Sequence, residues 1–263
     1  MSVLNAATRM VNERGALSLM IYAIPNYPDP ATYREILAVL NEHPAVTIIE
    51  TAFPVTSGFS RMANETIQQA HRQAAGFQDG AAVLEALQPF AKPSVCVLYR
   101  ETFETLGYDT VLRKMQGKID GFLFEWLLPS IEDYADSYER YGIELVQCVV
   151  HLMPEEKIAH HLALAIEEPI VYLVSAPKTG ATLYEQAQLA SCVQSIRVHR
   201  PKAKIYAGFG IRGAEDIASL STIDHIDGVI IGTAFIEVMQ QGAAAVAAFL
   251  DGLMPALSNH RPR

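Results

Sequence analysis

The sequence predicts a single (β/α)₈ barrel, with an extra helix before the first strand. The chain has 263 residues, close to the ~250 that are typical of this barrel. Eight short apolar runs alternate with helical patterns at nearly regular intervals. The runs are almost continuously apolar, as expected of parallel strands that are buried on both faces. An open, doubly wound parallel sheet is the alternative.

Runs of β-branched and aromatic residues locate the eight strands. The interval between the second and third runs is nearly double the others, which predicts a long loop with an extra helix there. The strands are predicted at Leu17–Ile24, Val46–Ala52, Ser94–Tyr99, Ile119–Phe124, Glu144–Val150, Ile170–Ser175, Lys204–Phe209 and Gly228–Gly232.

Helical patterns precede the first strand and follow most of the others. Leu4–Arg14 is the extra helix. Asp29 is a suitable N-cap before Pro30, and Ser130 precedes Glu132 and Asp133, which suit a first helical turn. The helices after the strands are predicted at Pro30–Glu42, Asn64–Ala75, Ala81–Leu87, Ser130–Tyr141, Pro154–Ile166, Leu183–Val198, Ala214–Leu220 and Phe235–Leu253.

Composition excludes several classes of protein. The chain is half hydrophobic and carries a net charge of −9, without a basic cluster of the kind that nucleic-acid binding requires. Its apolar runs are too short to span a membrane, and its first residues do not resemble a signal peptide. Three cysteines without a CxxC pair argue against a disulfide framework or a zinc site. We therefore expect a cytoplasmic protein that binds neither nucleic acid nor a membrane.

In a (β/α)₈ barrel the active site lies at the carboxyl ends of the strands. Glycines follow the last three strands, in Gly180, Gly208–Ile211 and Gly232–Thr233. Glycine permits close approach of the backbone to a ligand, and the loops after strands 7 and 8 form the usual phosphate site. These turns predict phosphate binding, although tight turns alone would also explain the glycines. The other polar strand ends are Asn26, Asp29, Tyr99, Glu101, Glu125 and His151.

Glu50 is a carboxylate inside the apolar run of the second strand. A side chain that points into the barrel mouth would have a raised pKa, suited to proton transfer near neutral pH. A salt bridge to a neighbouring lysine or arginine is the alternative, and position alone does not decide between them.

Eight stretches of the chain match, in order and spacing, the motifs of one known family. They are Pro28-Asp-Pro30, Glu50-Thr-Ala-Phe-Pro54, Glu65-Thr-Ile-Gln68, Val97-Leu-Tyr99, Ile119-Asp-Gly121, Tyr172-Leu-Val-Ser175 with Thr179-Gly180, Gly208-Phe-Gly-Ile211, and Asp227-Gly-Val-Ile-Ile-Gly-Thr-Ala234. Each motif is only modestly specific, but their order and spacing fit throughout. On these residues the chain resembles the tryptophan synthase alpha chain family over roughly residues 15 to 240.

The resemblance implies a (β/α)₈ barrel that cleaves indole-3-glycerol phosphate to indole and glyceraldehyde 3-phosphate. By position, Glu50 matches the family's catalytic glutamate, and Tyr99 and Tyr172 match tyrosines that line the site. The family's phosphate-binding residues correspond to Gly180, Phe209, Gly210, Gly232 and Thr233, where threonine replaces the usual serine.

Two segments depart from the family pattern. The family's second strand leads into a loop whose second aspartate binds the indole N–H, but this chain has no acidic residue between Glu50 and Glu65. Arg61 or Asn64 occupies that place and is the candidate substrate-binding residue there. The loop aspartate used near the beta-chain interface is absent as well. The Asp-Leu-Pro motif after strand 4 is replaced by the segment Glu125–Pro129.

These features predict a diverged lyase that cleaves a carbon–carbon bond, in the manner of a retro-aldol reaction, in a small phosphorylated substrate. Ordinary indole-3-glycerol phosphate cleavage is the alternative, and a non-catalytic protein that binds a phosphorylated ligand is a third possibility. No cofactor or metal is expected, and a beta-chain partner is doubtful. His160 and His161 are adjacent on a helix and point apart, and Lys178 is read as an exposed loop charge in preference to a Schiff-base lysine.

Overall fold

The architecture of the computed structural model is a barrel of parallel strands surrounded by helices. The structure describes residues 2–125, 131–150 and 153–258. The strands are β1 Ser18–Ala23, β2 Val46–Ala52, β3 Ser94–Leu98, β4 Gly121–Phe124, β5 Glu144–Leu145, β6 Gln147–Val150, β7 Ile170–Val174, β8 Lys204–Gly208 and β9 Gly228–Ile231.

The nine strands occupy eight positions around the barrel, in the order β5-β4-β3-β2-β1-β9-β8-β7-β6. The predicted fifth strand, Glu144–Val150, is interrupted at Val146, so that β5 pairs with β4 and β6 pairs with β7. The Val146 N–H donates to the carbonyl of Phe122 at 2.8 Å. Because β5 and β6 adjoin in the chain, the sheet is a nearly closed barrel, which confirms the predicted fold class and excludes the open sheet.

The helices surround the barrel and cover most of the predicted segments. They are α1 Val3–Asn12, α2 Pro30–Glu42, α3 Glu65–Phe77, α4 Gly80–Glu85, α5 Arg100–Leu106, α6 Tyr108–Met115, α7 Ser137–Tyr141, α8 Glu155–Ala163, α9 Gln186–His199, α10 Ala214–Leu220, α11 Thr233–Met239 and α12 Ala243–Ser258, with a 3₁₀ helix at Ile131–Tyr134. As predicted, Asp29 caps α2 by accepting hydrogen bonds from the Ala31 and Thr32 amides at 2.9 and 3.0 Å.

Three helix predictions differ from the structure. The segment between β3 and β4 was predicted without a helix, yet it forms α5 and α6. These are two short helices, separated by Gly107 with a φ of +75°. The predicted helix Phe235–Leu253 is two helices, divided near Gly242, whose φ is +86°. In the predicted helix Ser130–Tyr141, residues 131–134 are 3₁₀ and only Ser137–Tyr141 is α-helical. Its first residue, Ser130, lies outside the described residues.

Helix α1 covers the amino-terminal end of the barrel. Leu4 is fully buried against Gly121 at the start of β4. The Thr8 hydroxyl bonds the Tyr206 hydroxyl at 2.6 Å, Asn5 donates to the Glu168 carbonyl at 3.0 Å, and Asn12 donates to the Asp227 carbonyl at 2.8 Å. With this end closed, the opposite end is the entrance to the barrel.

Candidate active site

A cavity of about 180 Å³ opens at the carboxyl ends of the strands. Eight of the ten residues that the sequence predicts for the site line it, whereas Arg61 and Asn64 do not. The eight are Glu50, Tyr99, Tyr172, Gly180, Phe209, Gly210, Gly232 and Thr233. Tyr22, Glu125, Arg212 and Glu237 also line the cavity and are absent from the sequence-based set.

Glu50 lies in β2 with its Cα in register with that of Tyr22 in β1. Only 3% of the residue is exposed. Among the residues that the structure describes, no lysine or arginine forms an ion pair with it and no group donates a hydrogen bond to it. Burial raises the pKa of its carboxyl to about 8, because removing water penalises the charged form. Glu50 is therefore a mostly protonated acid at neutral pH that faces the cavity.

The turns after β7 and β8 bring the main chain to the edge of the cavity. Gly180 and Gly210 have φ values of +71° and +77°, which side chains rarely adopt. A Cβ atom at Gly180 would lie 2.7 Å from the Asn64 amide nitrogen, and one at Gly210 would lie 2.5 Å from the Ala181 carbonyl oxygen. Both glycines are therefore required by the close packing of the loops, as well as by the turns.

Asn64 joins three loops at this end of the cavity. Its side-chain carbonyl accepts from the Ile67 amide and caps α3. Its side-chain amide donates to the Thr179 carbonyl at 3.1 Å and to the Thr233 hydroxyl at 3.2 Å. The sequence predicted either Arg61 or Asn64 in the place of the family's indole-binding aspartate, but the structure places Asn64 behind the glycine turns. Arg61 is exposed, outside the cavity lining.

Glu125 supplies a second carboxyl group to the cavity. Ser60, in the loop after β2, donates to it from the backbone N–H at 2.9 Å and from the hydroxyl at 2.5 Å. Burial raises the pKa of Glu125, and the bonds from Ser60 oppose that rise. Its place after strand 4 was the available sequence signal. The rest of the altered segment, residues 126–129, lies outside the described residues, as does His151.

Tyr22, His71 and Tyr99 form a buried hydrogen-bonded network beside the cavity. The Tyr22 hydroxyl lies 2.7 Å from His71 Nε2 and 3.1 Å from the Tyr99 hydroxyl. The Val55 amide donates to His71 Nδ1 at 3.3 Å. His71 is fully buried on α3, and burial lowers its pKa to about 3. Tyr22 would have been found only from its inward-facing position in β1, and nothing in the sequence marks His71.

Tyr172 and Phe209 form an aromatic part of the cavity lining. Their rings meet edge to face with centroids 5.8 Å apart. A Cβ atom at Gly208 would lie 2.4 Å from the Tyr172 ring, so glycine at this position leaves room for the tyrosine. Arg212, at the cavity edge, is exposed and paired with Asp216.

Of the other groups considered in the sequence, His160 and Lys178 lie outside the cavity lining. His160 bonds Glu132 at 2.6 Å, and Lys178 is exposed. Cys148 does line the cavity, but burial raises the pKa of its thiol to about 12. Within the described ranges, no group of three or more His, Cys, Asp or Glu side chains has the arrangement of a metal site.

No helix within residues 2–125, 131–150 and 153–258 has both the length and the apolar character needed to cross a membrane.

Comparison with known proteins agrees with the fold and with the order of the motifs. Residues 8–255 match the family model described as tryptophan synthase alpha chain. The alpha chain of Carboxydothermus hydrogenoformans is 26% identical over 235 residues, covering 86% of this chain and 85% of that protein. The alpha chain of Lachnospira eligens is 26% identical over 244 residues, covering 88% of each.

Two solved structures of tryptophan synthase chains have the same fold. A chain of Mycobacterium tuberculosis tryptophan synthase superposes with a TM-score of 0.83 at 20% identity, covering 98% of both chains. The tryptophan synthase alpha chain of Legionella pneumophila superposes with a TM-score of 0.80 at 19% identity, again covering 98% of both. At these identities the structural likeness establishes the fold.

Proposed function

Since the chain belongs to the tryptophan synthase alpha chain family, we propose that it is a carbon–carbon lyase that cleaves a small phosphorylated substrate in a retro-aldol type of reaction. The observation that carries this proposal is Glu50, a buried carboxyl that faces the cavity without an ion-pair partner among the described residues. Its raised pKa suits it to give and regain a proton near neutral pH.

The reaction requires a single proton shuttle. Protonated Glu50 gives its proton to the carbon of the breaking C–C bond that belongs to the leaving fragment. The electron pair of that C–C bond forms the new C–H bond. The substrate hydroxyl on the other carbon loses its proton to the Glu50 carboxylate, and its electron pair forms the carbonyl. Glu50 ends protonated, so that no cofactor is needed to balance the step.

We propose that the phosphate group of the substrate binds at the glycine turns, against Gly180, Phe209, Gly210, Gly232 and Thr233. Backbone N–H groups at such turns bind anions by hydrogen bonding. A crystal grown in phosphate should hold an anion within hydrogen-bonding reach of the Gly210 and Gly232–Thr233 amides. An empty cradle at saturating phosphate would argue against this assignment.

At the opposite end, Glu125 is proposed to receive the polar group of the leaving fragment. The loop after β2 carries no acid between Glu50 and Glu65, but its Ser60 holds the carboxyl of Glu125 in the cavity. A carboxyl there is able to accept an N–H or O–H from the substrate. The second acid of the site would thus come from strand 4 in place of the second loop.

Indole-3-glycerol phosphate is the first substrate to test, because the chain's relatives are tryptophan synthase alpha chains. The protein is incubated with it, and indole and glyceraldehyde 3-phosphate are measured with and without a tryptophan synthase beta chain. Release of indole that is abolished in Glu50→Gln supports the proposed lyase. Tight binding without turnover would favour a non-catalytic binding protein.

We propose that beta-chain pairing is weakened, because both Thr56–Asn64 and Glu125–Pro129 depart from the family pattern. Gel filtration of the mixed chains should give no stable complex. A stoichiometric complex with mutual activation would instead support ordinary tryptophan synthase. The three cysteines are free thiols, which fits the proposal of a reducing, cytoplasmic location.

A further inference from the structure

The buried Tyr22–His71–Tyr99 network has a direction that its backbone donor sets. A backbone N–H only donates, so the Val55 amide, 3.3 Å from His71 Nδ1, requires that nitrogen to be unprotonated. A neutral imidazole then carries its proton on Nε2. That N–H faces the Tyr22 hydroxyl oxygen at 2.7 Å and donates to it.

The surroundings of His71 keep its ring neutral. The ring is fully buried and packs edge to face against Phe59 and Tyr99, with centroids 5.6 and 4.4 Å away. The atoms that meet its two nitrogens are a backbone amide and a tyrosine hydroxyl. Burial opposes a charged ring in this position, so both the charge and the tautomer are set by the fold.

The Tyr22–Tyr99 pair has one hydroxyl proton more than its own hydrogen bonds use. Tyr22 and Tyr99 have two hydroxyl protons and share one hydrogen bond of 3.1 Å. Since Tyr22 already accepts from His71, neither proton is used toward the histidine, and one is left over. Tyr99 and Glu125 line the same cavity, and the Glu125 carboxyl, which acts electrostatically on Tyr99, favours a Tyr99 proton directed away from Tyr22. Tyr22 therefore donates to Tyr99.

We propose that His71 and Tyr22 are positioning residues that turn the Tyr99 hydroxyl proton into the cavity, where Tyr99 donates a hydrogen bond to a substrate oxygen. The inference rests on the proposed function in one respect, which is that the cavity binds the substrate. The oxygen is that of the substrate hydroxyl on the carbon whose C–C bond breaks, the group that becomes the carbonyl. Because it accepts from Tyr99, its own proton is free to pass to Glu50, which lines the same cavity.

The reverse direction would have the opposite chemical consequence. With the proton on Nδ1, Nε2 would accept from Tyr22, Tyr22 would accept from Tyr99, and the pair would present no proton to the cavity. The same three side chains would then select a ligand that donates. The tautomer of His71 therefore decides whether this wall of the cavity binds a substrate acceptor.

Two measurements test the inference. The ¹⁵N chemical shifts of His71 in the ligand-free protein report its tautomer directly. The affinity for indole-3-glycerol phosphate is then measured by calorimetry in the Glu50→Gln background, where turnover is suppressed, with and without Tyr99→Phe or Tyr22→Phe. Tyr206→Phe is the matched control, because its buried hydroxyl also bonds one side chain, Thr8, at the closed end of the barrel.

We expect a neutral His71 with its proton on Nε2 from pH 5 to 8. Tyr99→Phe should weaken binding roughly 3- to 10-fold, the value of one neutral hydrogen bond, Tyr22→Phe should weaken it less, and Tyr206→Phe should leave it unchanged. A proton on Nδ1, or Tyr99→Phe with unaltered affinity, overturns the inference. Complete failure of the probe to bind would count against the proposed function, while the spectrum still decides the direction of the network.

Discussion

The two ends of the cavity differ in that main chain lines one and side chains line the other. At the end proposed to bind phosphate, main chain at Gly180, Phe209 and Gly210 forms the surface, and all three residues have positive φ values. At the end proposed to hold the leaving fragment, side chains form the surface, with Glu125 held by Ser60 and with Tyr22 bonded to both His71 and Tyr99. A surface made of backbone is sensitive to backbone conformation, whereas one made of side chains is sensitive to single hydrogen bonds.

The largest effect is expected at Glu50, the proposed acid–base group of the cavity. Glu50→Gln keeps the shape of the side chain but cannot shuttle a proton. Turnover should fall by ~10²–10⁴, while the affinity for inorganic phosphate stays within about twofold. The control is Glu101→Gln, which alters a carboxyl outside the cavity lining. Full activity of Glu50→Gln on a confirmed substrate would remove Glu50 from the mechanism.

The same substitution should change stability in a pH-dependent way. The pKa of Glu50 is raised to about 8 in the folded protein, so its stabilising contribution is complete below about pH 4.5 and is lost as the pH rises through 8. Between those pH values the free energy of unfolding of the wild type falls by about 3–5 kcal/mol relative to that of Glu50→Gln. Urea unfolding at pH 5 and pH 8 measures this difference.

Other titrating groups do not account for such a difference. Burial also raises the pKa of Glu144, to about 7, but Glu144 is present in both proteins and its contribution cancels. A stability difference between the two proteins that is constant across this pH range would show that the Glu50 carboxyl is already ionised at low pH.

At the end proposed to bind phosphate, Gly180→Ala should weaken binding of inorganic phosphate by about 10-fold or more. Alanine at the positive φ of Gly180 costs ~1–3 kcal/mol of backbone strain, and relief of that strain would displace the turn proposed to bind the anion. The added methyl group would also press on Asn64. Gly107→Ala is the matched control, since Gly107 has a similar φ of +75° with open space around it. Equal losses in the two variants would mean that the effect is general strain.

At the leaving-group end, Ser60→Ala removes one of the hydrogen bonds that hold Glu125. The affinity for indole-3-glycerol phosphate should fall roughly 3- to 10-fold, while the affinity for inorganic phosphate is unchanged. Ser57→Ala is the control, because its hydroxyl bonds Glu101 at 2.6 Å in the same manner. A loss of phosphate affinity in Ser60→Ala would contradict this prediction, because it would show that the two ends of the cavity are energetically coupled.

The smallest effect is expected at Arg61. Its side chain is exposed and outside the cavity lining, so Arg61→Ala should change the affinity for indole-3-glycerol phosphate by less than about twofold. Asn64→Ala, three residues away, removes the amide that bonds Thr179 and Thr233 and should weaken phosphate binding more. A larger loss of affinity in Arg61→Ala than in Asn64→Ala would support the sequence-based hypothesis that Arg61 binds the substrate.

The barrel could be predicted because each buried parallel strand has a signal within its own short segment, a continuous apolar run. Continuous apolar runs such as Ile170–Val174 are visible without any tertiary information, and so is the cap Asp29. Helices α5 and α6 were missed because α5 lacks a side-chain cap and both helices are short. Their stability comes from packing, which one segment of sequence does not reveal.

The candidate site divides in the same way. The glycines of the turns could be recognised because the backbone demands them. The position of Asn64 could not be read from its place in a loop, since its partners Thr179 and Thr233 are more than a hundred residues away. His71 sits in an ordinary helical pattern, and only the fold brings it to Tyr22, 49 residues earlier.

Helix α1 bears on the order in which the barrel is completed during synthesis. It emerges from the ribosome before every strand, yet its polar partners follow it by 163, 198 and 215 residues. Until β8 and the turn before β9 have been made, the inner face of α1 has only incomplete surfaces to pack on. A helix of 10 residues is only marginally stable without packing partners, so this amphipathic segment is expected to stay undocked and largely unfolded through most of translation, and to form α1 when the last quarter of the protein has been made.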